Sequence, residues 1–446
     1  RSLVGSEMCI RDSLSHYDST TGVFFVFYDA MIKCYASINI PGAQFMIKSK
    51  KSLIPYIAMG IIAILTIVYS ATLSASAKTE YSPNMEADRD GLFWQNSPDS
   101  MEKLWESEKE YTKLISTPGA MIAVDEHGVY RLNSENGETI WSYVRNDATI
   151  CDAVESDGDI AILMNPGRGC TDLTVLHAAT GQYKAQAQYA TNSEMGALVY
   201  GREKLALVTP VSARLLRSND LVPVSTFGDV PGEVYADDQQ VAGCNINDVT
   251  IGPESYAVSA KCEGDSTYKI RVIDNDPEES TTGEVIQTID TNTNDHVSLP
   301  VMSSSMIFFV TTGASETDPM AYVWQLDKDY AEVASWRLPV YSYGYPYQDL
   351  AKFGYTWRIG EWVRYRPGSE DLSQGIDTYE ATGDPIQAGD ELLIPSYGGI
   401  KVVKFKEEGE RKINIEDFPQ GSQYYAFSGK TFAALDPKNN KIVAFQ

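Results

Sequence analysis

The chain has 446 residues, of which 43% are hydrophobic, enough for a large core. It carries 36 Lys and Arg against 61 Asp and Glu, a formal charge of −25, which excludes nucleic acid as a partner because a phosphate backbone demands a basic footprint. Four His and six Cys leave little material for metal sites, and neither a cofactor nor catalysis is expected.

The N-terminal residues separate into several pieces. Residues 1–13, RSLVGSEMCIRDS, resemble a translated sequencing adapter and are set aside. Residues 14–45 show no helix caps and no sustained period, and read as an upstream frame carried through to the gene. Met46 opens MIKSKKSLIPY, the basic start of a membrane-targeting sequence, so 46–52 form a cytoplasmic basic segment. The apolar, uncharged run that follows is assigned to 53–75. Its 21 residues from Leu53 to Leu73, at about 1.5 Å rise each, span a hydrocarbon core of about 30 Å. Lys48, Lys50 and Lys51 hold the near end inside, so the rest is exported. The expectation is an uncleaved single-pass helix; secretion after cleavage near Ala77, at the small residues of Ala75-Ser76-Ala77, is the alternative. Residues 76–91 read as a linker. From Lys78 onward the balance is 30 basic to 57 acidic side chains, or −27, which keeps an exported domain soluble.

From residue 92 to 446 one pattern recurs. Gly128-Val-Tyr-Arg-Leu-Asn-Ser-Glu-Asn-Gly137 leads into Glu-Thr-Ile-Trp141, two strands split by a polar turn, which is a hairpin signature. Six further stretches repeat it, and Leu132, Leu176, Leu216, Ile273, Leu326, Val402 and Leu435 are taken as equivalent, with steps of 44, 40, 57, 53, 76 and 33. Propeller blades repeat at roughly 40–50 residues. A further apolar run precedes each hairpin, as at 120–124, 159–164 and 256–260. The fold class is all-β: a β-propeller of about seven four-stranded blades, six and eight remaining open, preceded by one transmembrane helix.

The strand, Leu-Asp/Asn, polar Gly turn and strand ending in Trp, clearest over 129–143, resemble the repeat of the PQQ-like, quinoprotein-type β-propellers. The stretch from Gly389 to Val403 resembles actinobacterial membrane-anchored members of that group. The resemblance implies a propeller over 92–446 and raises a quinoprotein dehydrogenase as a possible activity. Such enzymes use eight blades, a vicinal Cys-Cys pair over the cofactor, and carboxylate and amide ligands for Ca²⁺. Here no two cysteines are adjacent, and Tyr183 and Phe445 stand where other copies show Trp. PQQ binding is therefore not expected.

Cys151, Cys170, Cys244 and Cys262 fall in the exported part, where four cysteines suggest two disulfides with three connectivities. Cys151 and Cys244 lie in strands that open their blades, whereas Cys170 and Cys262 follow or end the second strands. Antiparallel pairing brings these ends together, which selects 151–170 and 244–262, read as the same place in two blades.

No G-x-S-x-G elbow or Walker A occurs. His127, His177 and His296 are isolated, and the acidic turns at Asp274-Asn-Asp276 and Asp157-Gly-Asp159 read as solvated turns rather than Ca²⁺ loops. One segment departs from the acidic background. Nine aromatics crowd the 25 residues from Tyr341 to Tyr365, interleaved with Lys352, Arg358 and Arg364. Tyr, Trp and Arg are enriched at binding hot spots. Tyr345, Tyr347, Trp357, Arg358, Trp362 and Arg364 are the candidate binding face, weighed against a role as filling for one enlarged blade. The whole reads as a non-catalytic binding or scaffold protein of the cell envelope, anchored in the membrane and engaging an envelope protein or glycan. A quinoprotein-type oxidoreductase using the propeller channel is the alternative.

Overall fold

The computed structural model describes residues 79–446 apart from 88–96, 118, 192, 202, 231–242, 277–282, 295–296, 303–305, 312–319, 327–330, 338–354, 359–360, 365–374, 378–381, 383–385, 389–390, 405–409 and 423. Every regular element among the described residues is a β-strand. In chain order they are β1 (Thr79–Ser82), β2 (Lys103–Glu106), β3 (Lys113–Thr117), β4 (Ala120–Val124), β5 (Gly128–Leu132) and β6 (Thr139–Arg145). Next come β7 (Thr149–Ser156), β8 (Asp159–Asn165), β9 (Asp172–His177), β10 (Tyr183–Gln188), β11 (Ala197–Gly201), β12 (Lys204–Val208), β13 (Ser212–Arg217) and β14 (Pro223–Gly228). They continue with β15 (Asn245–Ile251), β16 (Ser255–Lys261), β17 (Lys269–Asp274), β18 (Val285–Asp290), β19 (Val297–Met302), β20 (Met306–Thr311), β21 (Met320–Gln325) and β22 (Glu332–Arg337). The last are β23 (Tyr355–Arg358), β24 (Glu361–Arg364), β25 (Gly375–Asp377), β26 (Ile386–Ala388), β27 (Glu391–Ser396), β28 (Gly399–Lys404), β29 (Glu410–Asn414), β30 (Tyr425–Ser428), β31 (Thr431–Asp436) and β32 (Lys441–Phe445).

These strands form eight antiparallel sheets, almost all from consecutive strands. The first is β3-β4-β5-β6 with β1 added at its outer edge; β7–β10, β11–β14, β15–β18 and β19–β22 make the second to fifth. The sixth has three strands, β23–β25; the seventh is β26–β29; the eighth is β30-β31-β32 completed by β2. First strands lie against first strands of neighbouring sheets: β3 on β7, β7 on β11, β11 on β15, β15 on β19, β19 on β23, and β30 back on β3. Sheets stacked face to face from the first to the sixth, with the seventh on the eighth and the eighth on the first, are the arrangement of a β-propeller.

Position in the stack explains strand composition. The second strands β4 (AMIAV) and β8 (DIAILMN) are almost wholly buried because sheets cover both faces, and they read as unbroken apolar runs. The outer strand β10 (YKAQAQ) is mostly open to solvent and carries polar residues. The core is a series of layers between sheets. Leu114, Met121 and Leu132 meet Ala426, Ala433 and Ile442 between the first and eighth sheets. Leu393, Ile400 and Val402 meet Phe427, Phe432 and Phe445 between the seventh and eighth.

A shared irregularity fixes the repeat. The third and fourth strands shift register by a bulge at Leu132, Leu176, Leu216 and Ile273, four of the positions taken as equivalent. In the fifth sheet the shift falls at Trp324, not Leu326. The eighth sheet corrects the last position by a whole strand. Leu435 lies on β31, the second strand, and the bulge opposes Phe445 on β32 to Lys103 on β2. Phe445 is thus the counterpart of Leu132, and the Trp place of this sheet belongs to Trp105, opposite Ala444 as Trp141 is opposite Arg131. Tyr183 does not stand in the Trp place either: Ala185 holds it, opposite Val175. Among the described residues there are eight sheets and seven of them hold a copy of the sequence pattern; the one without a copy is the three-stranded sheet inside the 76-residue step.

Both docked tryptophans close a corner between sheets. Trp105 donates its indole N–H to Ser134 O at 2.9 Å and packs over Gly137; Trp141 donates to Ala178 O at 2.9 Å and packs over Gly181. The glycines sit at φ 76° and 73° in matching turns, a conformation that costs other residues. A Cβ on either would stand 2.8 Å from the indole.

Among the described residues no helix is long and apolar enough to cross a membrane; residues 1–75, with the expected anchor, lie outside them, as do Cys9 and Cys34.

Candidate functional site

The first strands carry the polar groups that join one sheet to the next. In the second sheet β7 bulges between Ile150 and Asp152. Asp152 Oδ1 accepts the N–H of Ala153 at 2.8 Å, and Oδ2 accepts the N–H of Leu198 on β11 at 2.9 Å. Lys113 of β3 donates to Asp152 Oδ1 at 2.9 Å and to Ala153 O at 2.8 Å. One carboxylate thus joins three consecutive sheets.

The fourth sheet repeats the device without the cation. β15 bulges between Ile246 and Asp248. Asp248 Oδ1 accepts the N–H of Val249 at 2.8 Å, and Oδ2 accepts the N–H of Leu299 on β19 at 2.8 Å. The residue as a whole keeps a partial opening to solvent, while its carboxyl group is deeply desolvated. Loss of water around it pushes its pKa up to about 6, with the two N–H groups pulling only partly the other way. The amide nitrogen of Asn247, on the bulge residue, is buried with no hydrogen-bond partner among the described residues. Between the eighth and first sheets a hydroxyl does similar work: Ser116 Oγ accepts the N–H of Phe427 at 3.1 Å and donates to Phe427 O at 3.3 Å.

Sequence reasoning did not single out Lys113, Asp152 or Asp248. The signal was present: Ile150-Cys-Asp152-Ala-Val repeats as Ile246-Asn-Asp248-Val-Thr at the start of two first strands.

The structure joins Cys151 to Cys170 and Cys244 to Cys262. The two bridges do not share one place. Cys151 is the bulge residue, the counterpart of Asn247, whereas Cys244 precedes β15 altogether. Each ties the start of a first strand to the chain leaving the second.

The six residues of the expected binding face are only partly placed. Tyr345 and Tyr347 lie outside the described residues. Trp357 and Arg358 fall on β23, and Trp362 and Arg364 on β24 of the three-stranded sheet. In register Trp357 stands opposite Trp362, Arg358 opposite Glu361, and Arg364 opposite Tyr355. The hairpin therefore brings two of the tryptophans to one cross-strand position.

The isolated histidines have local partners. His127 Nδ1 is 2.7 Å from Ala148 O, and His177 Nδ1 lies 3.4 Å from Thr180 Oγ1; His296 is outside the described residues. The turn at 274–276 is closed by its own groups: Asp274 accepts the N–H of Asp276, and Asn275 donates to Gly252 O and Pro253 O. Asp159 is held by Lys184. Among the described residues no group of three or more His, Cys, Asp or Glu is placed to hold a metal ion.

A propeller whose first strands are laced together by carboxylates and a hydroxyl is the class of protein that fold and site define. No known family model matches the chain, and no curated protein matches it. Solved structures do. It is similar to BamB from Moraxella catarrhalis at 11% identity and a TM-score of 0.42, over 77% of this chain and 100% of that one. A chain in a crystal structure of a mitotic checkpoint complex matches at 11% identity and TM-score 0.38, over 81% of this chain and 97% of that one. Raptor from Chaetomium thermophilum matches at 11% identity and TM-score 0.39, over 85% of this chain and 30% of that one. Similarity at this level bears on neither partner nor activity.

Proposed function

We propose that the chain is a non-catalytic binding or scaffold protein of the cell envelope, an eight-bladed propeller of the quinoprotein-type repeat held outside the cytoplasm by residues 53–75. The observation that carries this reading is the use made of the polar side chains on the first strands. Lys113, Ser116, Asp152 and Asp248 are engaged in joining sheets, so the ring acts as a frame and recognition falls to what interrupts the repeat. The departure from the repeat is the three-stranded sixth sheet with the chain ahead of it, which carry Tyr345, Tyr347, Trp357, Arg358, Trp362 and Arg364, suited by stacking and charge to a glycan or an anionic face of an envelope protein. Two cystine bridges support an oxidising compartment. Two Trp-over-Gly corners support the repeat type, and eight sheets support the blade number.

The test is capture of envelope proteins and glycans by the full chain in its native membrane, compared with Trp357→Ala and Trp362→Ala. Loss of capture at an unchanged melting temperature supports the reading. Lower melting temperatures with capture retained, or saturable micromolar binding of PQQ, overturn it.

A further inference from the structure

The two carboxylate joints differ in one respect. Asp152 receives Lys113 from the preceding sheet; among the described residues Asp248 receives no cation. The position that would supply one is identifiable. Lys113 opens β3 opposite Val124, the last residue of β4. Ala197 opens β11 opposite Val208, the last residue of β12. Since β3 precedes β7 around the ring as β11 precedes β15, Ala197 is the counterpart of Lys113. An exposed methyl group stands where the other joint has an ammonium.

The strands packed on β15 supply no substitute. β11 brings Tyr200, bonded to Asp157. β12 brings Lys204. β13 brings Arg214, over the Tyr189 ring, and Arg217, paired with Asp220. β16 brings Tyr256, bonded to Ser225, and Lys261, bonded to Asn294. β19 brings no charged or titratable side chain. Among the described residues none of these forms an ion pair with Asp248.

We propose that the joint between the fourth and fifth sheets is an acid-responsive element of the ring: an uncompensated carboxylate at Asp248 weakens it at neutral pH, and protonation there tightens it. The direction follows from linkage. An ordinary Asp titrates at 3.8 and Asp248 near 6, so between those values the folded ring keeps a proton that the unfolded chain has lost. The contribution is full below the lower value and is lost as pH rises through the upper one. Opening the joint hydrates the charge, so neutral pH favours opening. The partial exposure of Asp248 lets the proton exchange with solvent.

The measurement is hydrogen exchange on the full chain at pH 7.5 and pH 5, corrected for intrinsic rates, at the amides of Val249 and Leu299, alongside melting temperature. The opening equilibrium is expected to be about tenfold larger at pH 7.5, because about one pKa unit separates pH 5 from the folded value near 6 and each unit is worth a factor of ten. The Leu198 amide, accepted by Asp152, should show a much smaller ratio. Asp248→Asn should raise the melting temperature relative to wild type at pH 7.5 and keep only part of that advantage at pH 5. Ala197→Lys, which supplies the cation and leaves Asp248 intact, should do the same and keeps the test usable if the first variant fails to fold. Equal exchange ratios at Leu299 and Leu198, or an Ala197→Lys variant no more stable at pH 7.5 than at pH 5 relative to wild type, would overturn the proposal.

Discussion

Between the first and second sheets the outer corner is closed by Trp141, whose ring covers Gly181 and whose N–H reaches Ala178 O. Between the second and third sheets Tyr189 closes the corner instead. Its hydroxyl donates to Leu221 O, and Arg214 stacks on its ring at 4.8 Å. The turns are alike: Gly181 N–H bonds His177 O, and Leu221 N–H bonds Arg217 O. Leu221 occupies φ 60°, where the first corner has glycine. The difference shows what the Trp corner requires. A flat indole must approach backbone closely, which only a residue without Cβ permits. A Tyr reaching with its tip leaves room for a side chain, so a buried Leu is worth its backbone strain.

Four substitutions break or sharpen this contrast. Trp141→Ala removes a side chain 1% exposed and should cost about 3–5 kcal/mol in denaturant unfolding. Gly181→Ala adds both left-handed strain and a clash with the indole, and should cost about 2–4 kcal/mol; a neutral result would mean that the indole is free to move away. Tyr189→Phe keeps the ring and loses one hydrogen bond, so a loss of about 0.5–1.5 kcal/mol is expected by the same titration. Asn440 takes φ 57° in a turn closed by the same type of hydrogen bond, Asn440 N–H to Asp436 O, but between the second and third strands of the eighth sheet. Asn440→Gly relieves mild strain there and should raise stability by up to about 1 kcal/mol, read as a small rise in melting temperature.

How far the fold was legible varied with how local its determinants are. Leu132, Leu176 and Leu216 were found at their structural register because each precedes a short turn with an alternating strand behind it, and Ile273 because it closes an alternating strand ahead of a longer acidic connection. Leu326 was misplaced by two residues because Ala321-Tyr-Val-Trp-Gln-Leu offers apolar residues on both faces, so period alone does not mark the bulge. Leu435 was misplaced by a strand for another reason: the sheet it belongs to takes its outer strand from β2, and no local pattern announces a partner more than 300 positions away. Trp105 was passed over on the same ground, although Leu104-Trp105 mirrors Ile140-Trp141. Of the candidate face, an aromatic excess marked the segment, but its division into β23 and β24 and the pairing of Trp357 with Trp362 come from register. Asp248 illustrates the limit most clearly. A single Asp in an apolar strand looks like any other until the second sheet shows that its twin, Asp152, has a lysine.

The pairing of β2 with β32 has a consequence for how the protein comes to be made. During synthesis β2 emerges early, and its sheet does not exist until β32 has been translated. Throughout that interval Trp105 has neither its strand partner nor a settled place over Gly137. Ring closure is therefore the last event, and it waits on a search between distant parts of one chain. Loop-closure entropy grows only slowly with length, by about 0.6 kcal/mol per doubling, so the greater hazard is exposure. The unpaired edges of β2 and of the unfinished eighth sheet are open to other chains, and shielding them is a task for whatever chaperones attend the nascent chain.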